Sequence, residues 1–82
     1  MTMLSFFERR VYCLVRQQAP TRSGVLASGT RLSDDLGLDL LGRVLLGISL
    51  EQHLYLDIPD TEIGQWRTLA DVLACVARHR TT

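Results

Sequence analysis

Few side chains in this chain are reactive, and they can be taken in turn. Cys13 and Cys75 are the only thiols; they stand far apart and form no C-x-x-C motif. His53 and His79 are read as isolated from both. Zinc usually requires four clustered ligands, so no metal site is expected. Nothing in the pattern supports a Cys–His nucleophile pair. Nine arginines and no lysine exclude Schiff-base chemistry from a side chain. The run Gly37-Leu-Asp-Leu-Leu-Gly42 is no phosphate cradle, because Asp39 and leucines would line it. Neither an acid–base pair nor a nucleophile triad stands out, so an enzyme is not expected and no catalytic residue is assigned.

The elements that would position these groups are few. With 82 residues, 46% of them hydrophobic, the chain is read as one domain over residues 1–82 with a packed core. No apolar run approaches the roughly 20 residues of a membrane span. The segment from Met1 to Arg10 reads as neither signal peptide nor anchor, which makes the cytoplasm the default location. The formal net charge is zero, but it is unevenly spread. Residues 1–31 hold five arginines against Glu8, while residues 32–62 hold seven acids against Arg43. The acidic middle suits either a basic partner or the chain's own basic ends. Arg9 and Arg16 read as a solvated helix face, and no nucleic-acid module appears.

A first helix is expected from Ser5 to Ala19, opened by a Ser5/Glu8 capping box and ended by Pro20. Phe7, Val11, Leu14, Val15 and Gln18 share its apolar face, with Cys13 nearer the polar side. Residues 20–39 form a long loop, tied down by Val25, Leu26, Leu32, Leu36 and Leu38. Asp39 is the expected N-cap of a second helix, Leu40 to Leu54. That helix is apolar around most of its circumference, and a domain this small cannot surround it, so part of the apolar face is expected in solvent. Asp57 to Asp60 should form a turn, with Asp60 capping a short helix from about Thr61 to Gly64. Thr68, with Asp71 three residues later, opens a last helix striped by Leu69, Val72, Leu73 and Val76. Cys75 at the edge of that stripe and Trp66 before it both read as packing residues. The fold class is all-α: a four-helix bundle of three long helices and one short.

The run Leu32-Ser-Asp-Asp-Leu-Gly-Leu-Asp39, followed by Leu40 and Leu41, resembles the acyl carrier protein signature, loosely apolar-x-x-D-L-G-x-D-S-L. The likeness continues through Glu51-Gln-His-Leu54 and Ile58-Pro59-Asp60 to Thr68-Leu-Ala-Asp-Val72, nearly the whole chain. The resemblance implies a bundle that holds acyl chains as thioesters on a 4′-phosphopantetheine arm. In that family a transferase attaches the arm to the serine of D-S-L.

Here the chain departs from the pattern. Leu40 occupies the serine position, flanked by Asp39 and Leu41, and leucine offers no hydroxyl for the phosphodiester. Ser33 and Ser49 lie too far from the helix start to substitute. Either a carrier-like protein has lost its arm, or Leu40 replaces a serine in a working carrier. As written, no cofactor is expected; with serine at position 40 it would be 4′-phosphopantetheine. The implied partners are biosynthetic enzymes of fatty-acid, polyketide or related pathways: a synthase, an acyltransferase and, with serine restored, a phosphopantetheinyl transferase. They would dock on Val44, Leu45, Ile48 and Glu51 of the second helix, beside Leu40 and Leu41. The alternative is an armless scaffold that binds a partner enzyme through the same apolar face. That helix carries Leu45, Gln52 and His53 where the family is usually acidic, and Arg43 adds the opposite sign, so docking should lean on apolar contact more than on steering. A monomer is expected.

Overall fold

A computed structural model describes residues 6–19 and 26–79. Helix α1 runs Phe6–Gln18, α2 Leu40–Leu54, α3 Asp60–Ile63 and α4 Leu69–His79. Helical periodicity dominates the pattern, and among the described residues the only β-pairing is one antiparallel bridge between Arg31 and Thr68. The bundle is the four-helix architecture read from the sequence, three long helices and one short. Among the described residues no helix is long and apolar enough to cross a membrane.

The core is a single cluster to which every helix and the loop before α2 contribute. Val11, Leu14 and Val15 face inward from α1, Leu46 and Leu50 from α2, Ile63 from α3, and Leu69, Val72, Cys75 and Val76 from α4. Phe7 packs partly against the cluster, and Cys13 is exposed. Helix α1 ends one residue earlier than expected, at Gln18, although the Ala19 N–H still reaches the Val15 carbonyl at 2.9 Å. Ser5, Pro20 and Val25 fall outside the described residues, and with them the first capping box.

The loop before α2 is more ordered than its composition suggests. Leu26, Leu32, Leu36 and Leu38 are all buried, as expected of a loop anchored to the core. Residues 31–36 coil into successive turns, closed by Asp35 and Leu36 amides on the Arg31 carbonyl and by the Leu38 amide on the Leu32 carbonyl. Gly37 has φ 71°, a left-handed conformation that glycine adopts without a Cβ penalty and that turns the chain toward Asp39. The Leu32 amide donates to the Arg67 carbonyl, while Leu69 and Ala70 amides donate back to Thr30 and Ser28 carbonyls. These bonds splice the loop onto the entrance of α4.

Two local readings are corrected. Pro59, not Asp60, is the N-cap of α3; its φ of −62° and ψ of 140° set the extended entry, and Asp60 becomes the first helical residue. There its charge still favours the positive end of the helix dipole. The expected turn at residues 57–60 does not form: residues 57–59 have no regular structure and Asp60 already belongs to α3. At the close of α2, Tyr55 adopts φ 57° in the left-handed region, and the Leu56 amide returns to the Glu51 carbonyl at 3.1 Å. Glycine usually fills such a position, so a tyrosine there does not announce a cap.

Candidate functional site

The N-terminus of α2 has the geometry the sequence demanded. Asp39 is extended, and its Oδ1 accepts the Gly42 amide at 2.8 Å, satisfying one of the helix's orphan donors. Leu40, the first helical residue, remains 59% exposed, and Leu41 beside it 65%. One turn on, Leu45 is 46% exposed, and two turns on Ile48 is 43% exposed. Val44 is half-buried and packs against the core. Of the predicted docking residues, Leu45 and Ile48 thus present an apolar surface to solvent together with Leu40 and Leu41, Val44 and Glu51 are only half-exposed, and Leu46 and Leu50 on the opposite arc are fully buried.

Glu51 has a structural partner that its sequence context concealed. Its Oε2 accepts the Ile58 amide at 3.1 Å and ties the end of α2 to the approach of α3. His53 turns its Nδ1 to the Ser49 carbonyl at 2.8 Å, and the Ser49 hydroxyl is buried nearby. Ser33 stands in the turn before α2. Neither serine is at the helix start, so the chemistry available there is that of Leu40: a hydrocarbon with no atom that could form a phosphodiester.

The expectation of isolated cysteine and histidine fails on α4. Cys75 and His79 are four residues apart, one helical turn, and Glu62 from α3 closes on both. His79 Nε2 lies 2.6 Å from Glu62 Oε2, the Cys75 thiol donates to Glu62 Oε1 at 3.4 Å, and Arg78 pairs with the same carboxylate. The C-x-x-x-H spacing was visible in the sequence, but Glu62, thirteen residues before Cys75, was not. Hydrogen bonds from Arg78 and then His79 hold the Glu62 carboxyl at a pKa of about 2, and burial pushes the Cys75 thiol up. With Arg78 already on the carboxylate, the cluster is an ion-pair knot between α3 and α4. Trp66 is buried beside it, as the packing reading held.

The Thr68 box forms as expected. Asp71 Oδ2 accepts the Arg67 and Thr68 amides at 2.9 and 3.1 Å, and the Thr68 hydroxyl accepts the Asp71 amide at 3.4 Å.

Comparison with known proteins places this geometry in context. A family model described as phosphopantetheine attachment site matches residues 9–76. The chain is 24% identical over 80 residues to an acyl carrier protein of Rickettsia bellii, covering 98% of this chain and 93% of that one. It is 27% identical over 71 residues to an acyl carrier protein of Akkermansia muciniphila, covering 87% and 89%. A stretch of 46 residues, 56% of this chain and 60% of the relative, is 39% identical to an acyl carrier protein of Clostridium perfringens.

Proposed function

Because the chain belongs to the acyl carrier protein family, matched through its phosphopantetheine-attachment model, we propose that it serves acyl-chain synthesis by presentation rather than catalysis, and that it carries no covalent arm while Leu40 stands. The carrying observation is the start of α2: an Asp39-capped helix whose first residue, which the D-L-G-x-D pattern assigns to the family's serine position, is an exposed leucine. A nucleophilic oxygen is the one atom the attachment needs, and this side chain lacks it. The exposed Leu41, Leu45 and Ile48 support docking of a biosynthetic enzyme, a synthase or acyltransferase, on α2 through apolar contact.

A second reading shares the fold and drops the cargo: an armless module that occupies or scaffolds a partner enzyme through the same face. One experiment separates them. The protein and its Leu40→Ser variant are incubated with coenzyme A, magnesium and a broad-specificity phosphopantetheinyl transferase, and intact masses are read. The carrier reading expects an unmodified Leu40 protein and a variant that gains the arm. A variant that folds but stays unmodified favours the scaffold. An arm on the Leu40 protein overturns both.

A further inference from the structure

A groove of about 440 Å³ opens where the turns of residues 31–36, the first half of α2 and the α3–α4 connection meet. Its volume falls within the range of small-molecule sites and exceeds what a lone inorganic anion fills. Three arginines, Arg31, Arg43 and Arg67, line it with Ser33, Asp34 and Thr68. Three guanidiniums against one carboxylate leave two positive charges in excess, in a chain whose overall charge is zero.

These arginines are incompletely used by the fold. Arg31 pairs with Asp34 at 3.0 Å, both two-thirds exposed, a weak surface pair that an incoming anion can displace. Arg43 places Nη1 on the Leu38 carbonyl at 3.2 Å, but its buried Nε meets no acceptor among the described residues. A buried charged donor without a partner is costly, and an added acceptor removes the cost. Arg67 is held by its backbone: its amide donates to Asp71 at 2.9 Å and its carbonyl accepts from Leu32 at 2.9 Å. Among the described residues its guanidinium makes no hydrogen bond or ion pair. The Arg31–Thr68 bridge and the Leu32–Arg67 bond fix the two loop walls of the groove against each other. The three forks are thus presented from a built frame.

We infer that this groove binds, without covalent attachment, a small organic molecule carrying at least two negative charges, as a phosphate ester or a dicarboxylate. Guanidinium forks match the paired oxygens of either group, and the Ser33 and Thr68 hydroxyls supply further donors. A purely apolar acyl chain is the wrong occupant, since it would bury the arginines without satisfying them. The site is separate from the exposed apolar face of α2 and does not depend on whether position 40 can hold an arm.

Trp66, the only tryptophan, forms part of the groove wall and reports on it by fluorescence. The full chain is titrated with glycerol 3-phosphate and, separately, with malonate, against chloride at matched ionic strength. Backbone amide shifts are followed by NMR in parallel. The expected result is a saturable response to at least one dianion, with shifts centred on residues 31–34, 43 and 66–68. The stronger responder identifies the phosphate or the carboxylate class. Arg67→Ser should weaken binding about tenfold, the loss of one charge-assisted fork, with Arg67→Lys between and the exposed Arg9→Ser unchanged. If Arg67→Ser does not fold by circular dichroism, Arg31→Ser carries the same expectation. No saturable response below ~10 mM, a chemically negligible affinity, or equal binding by wild type and a folded groove variant, would overturn the inference.

Discussion

The contrast between the two faces of α2 can be turned into free energies. Fully burying a leucine contributes about 1.5–3 kcal/mol. Leu41 keeps 65% of its surface in solvent, so Leu41→Ala should cost about 0.5–1 kcal/mol. Leu45, at 46%, should cost about 1–1.5 kcal/mol. Alanine recovers a few tenths through helix propensity at either position. Leu46 is fully buried in the same helix, and truncating it adds a cavity to the lost transfer energy, for about 2–5 kcal/mol. The assay is urea unfolding followed through Trp66, with each midpoint multiplied by a common slope. For a domain of this size each kcal/mol lowers the melting temperature by about 4–8 °C, which a thermal scan resolves independently. The order Leu41 < Leu45 < Leu46 is the expected outcome. A Leu45→Ala variant as unstable as Leu46→Ala would refute the reasoning, because Leu45 would then be core and unavailable to a partner.

Acidification tests the α3–α4 knot: the Glu62 carboxyl, held at about 2 in the fold against 4.5 ordinarily, contributes stability above pH about 4.5 that is lost as pH falls toward 2. Glu62→Gln should flatten that limb of the stability–pH curve, and an unchanged slope would mean that the pairs with Arg78 and His79 contribute nothing. Tyr55→Gly should raise stability by up to about 1 kcal/mol by relieving the left-handed cap of α2, measured by the same urea curves; a loss would show that the tyrosine ring contributes more than the strain costs. A thiol reagent should label the exposed Cys13 first and leave the buried, high-pKa Cys75 until the chain unfolds, so that mass spectrometry counts one adduct in buffer and two in denaturant.

Much of this architecture was legible because it rests on local chemistry. Asp39 before an apolar run marks a helix start from composition alone, and α2 begins and ends where its pattern does. The Thr68/Asp71 box is read the same way. Leu26, Leu32, Leu36 and Leu38 announced an anchored loop because four buried leucines are too many for a solvated linker. What escaped depends on contacts between segments. Glu51 looks like a surface acid until the chain brings the Ile58 amide back to it. Asp60 is a better capping residue than proline, yet the fixed φ of Pro59 sets where α3 starts. Arg31, Arg43 and Arg67 have no common spacing, and only the fold gathers them around one groove. Cys75 and His79 show their helical spacing in the sequence, but its meaning depends on Glu62 arriving from another helix.

Stability does not account for the hydrocarbon at position 40. With 59% of its surface in solvent, Leu40 contributes about 1 kcal/mol or less to the fold. The Asp39 cap holds the helix start through the Gly42 amide whatever side chain follows. Helix α2 is fastened from its other side, by Leu46 and Leu50 in the core and by Gly47, whose missing Cβ leaves room for Ile63. A polar residue at 40, 41, 45 or 48 would therefore leave a folded bundle. Four exposed large apolar side chains on one helix lower solubility without a matching gain in packing, and such patches mark contact surfaces. The energetics of the isolated chain thus direct attention outward, to whatever covers α2 when the protein is at work.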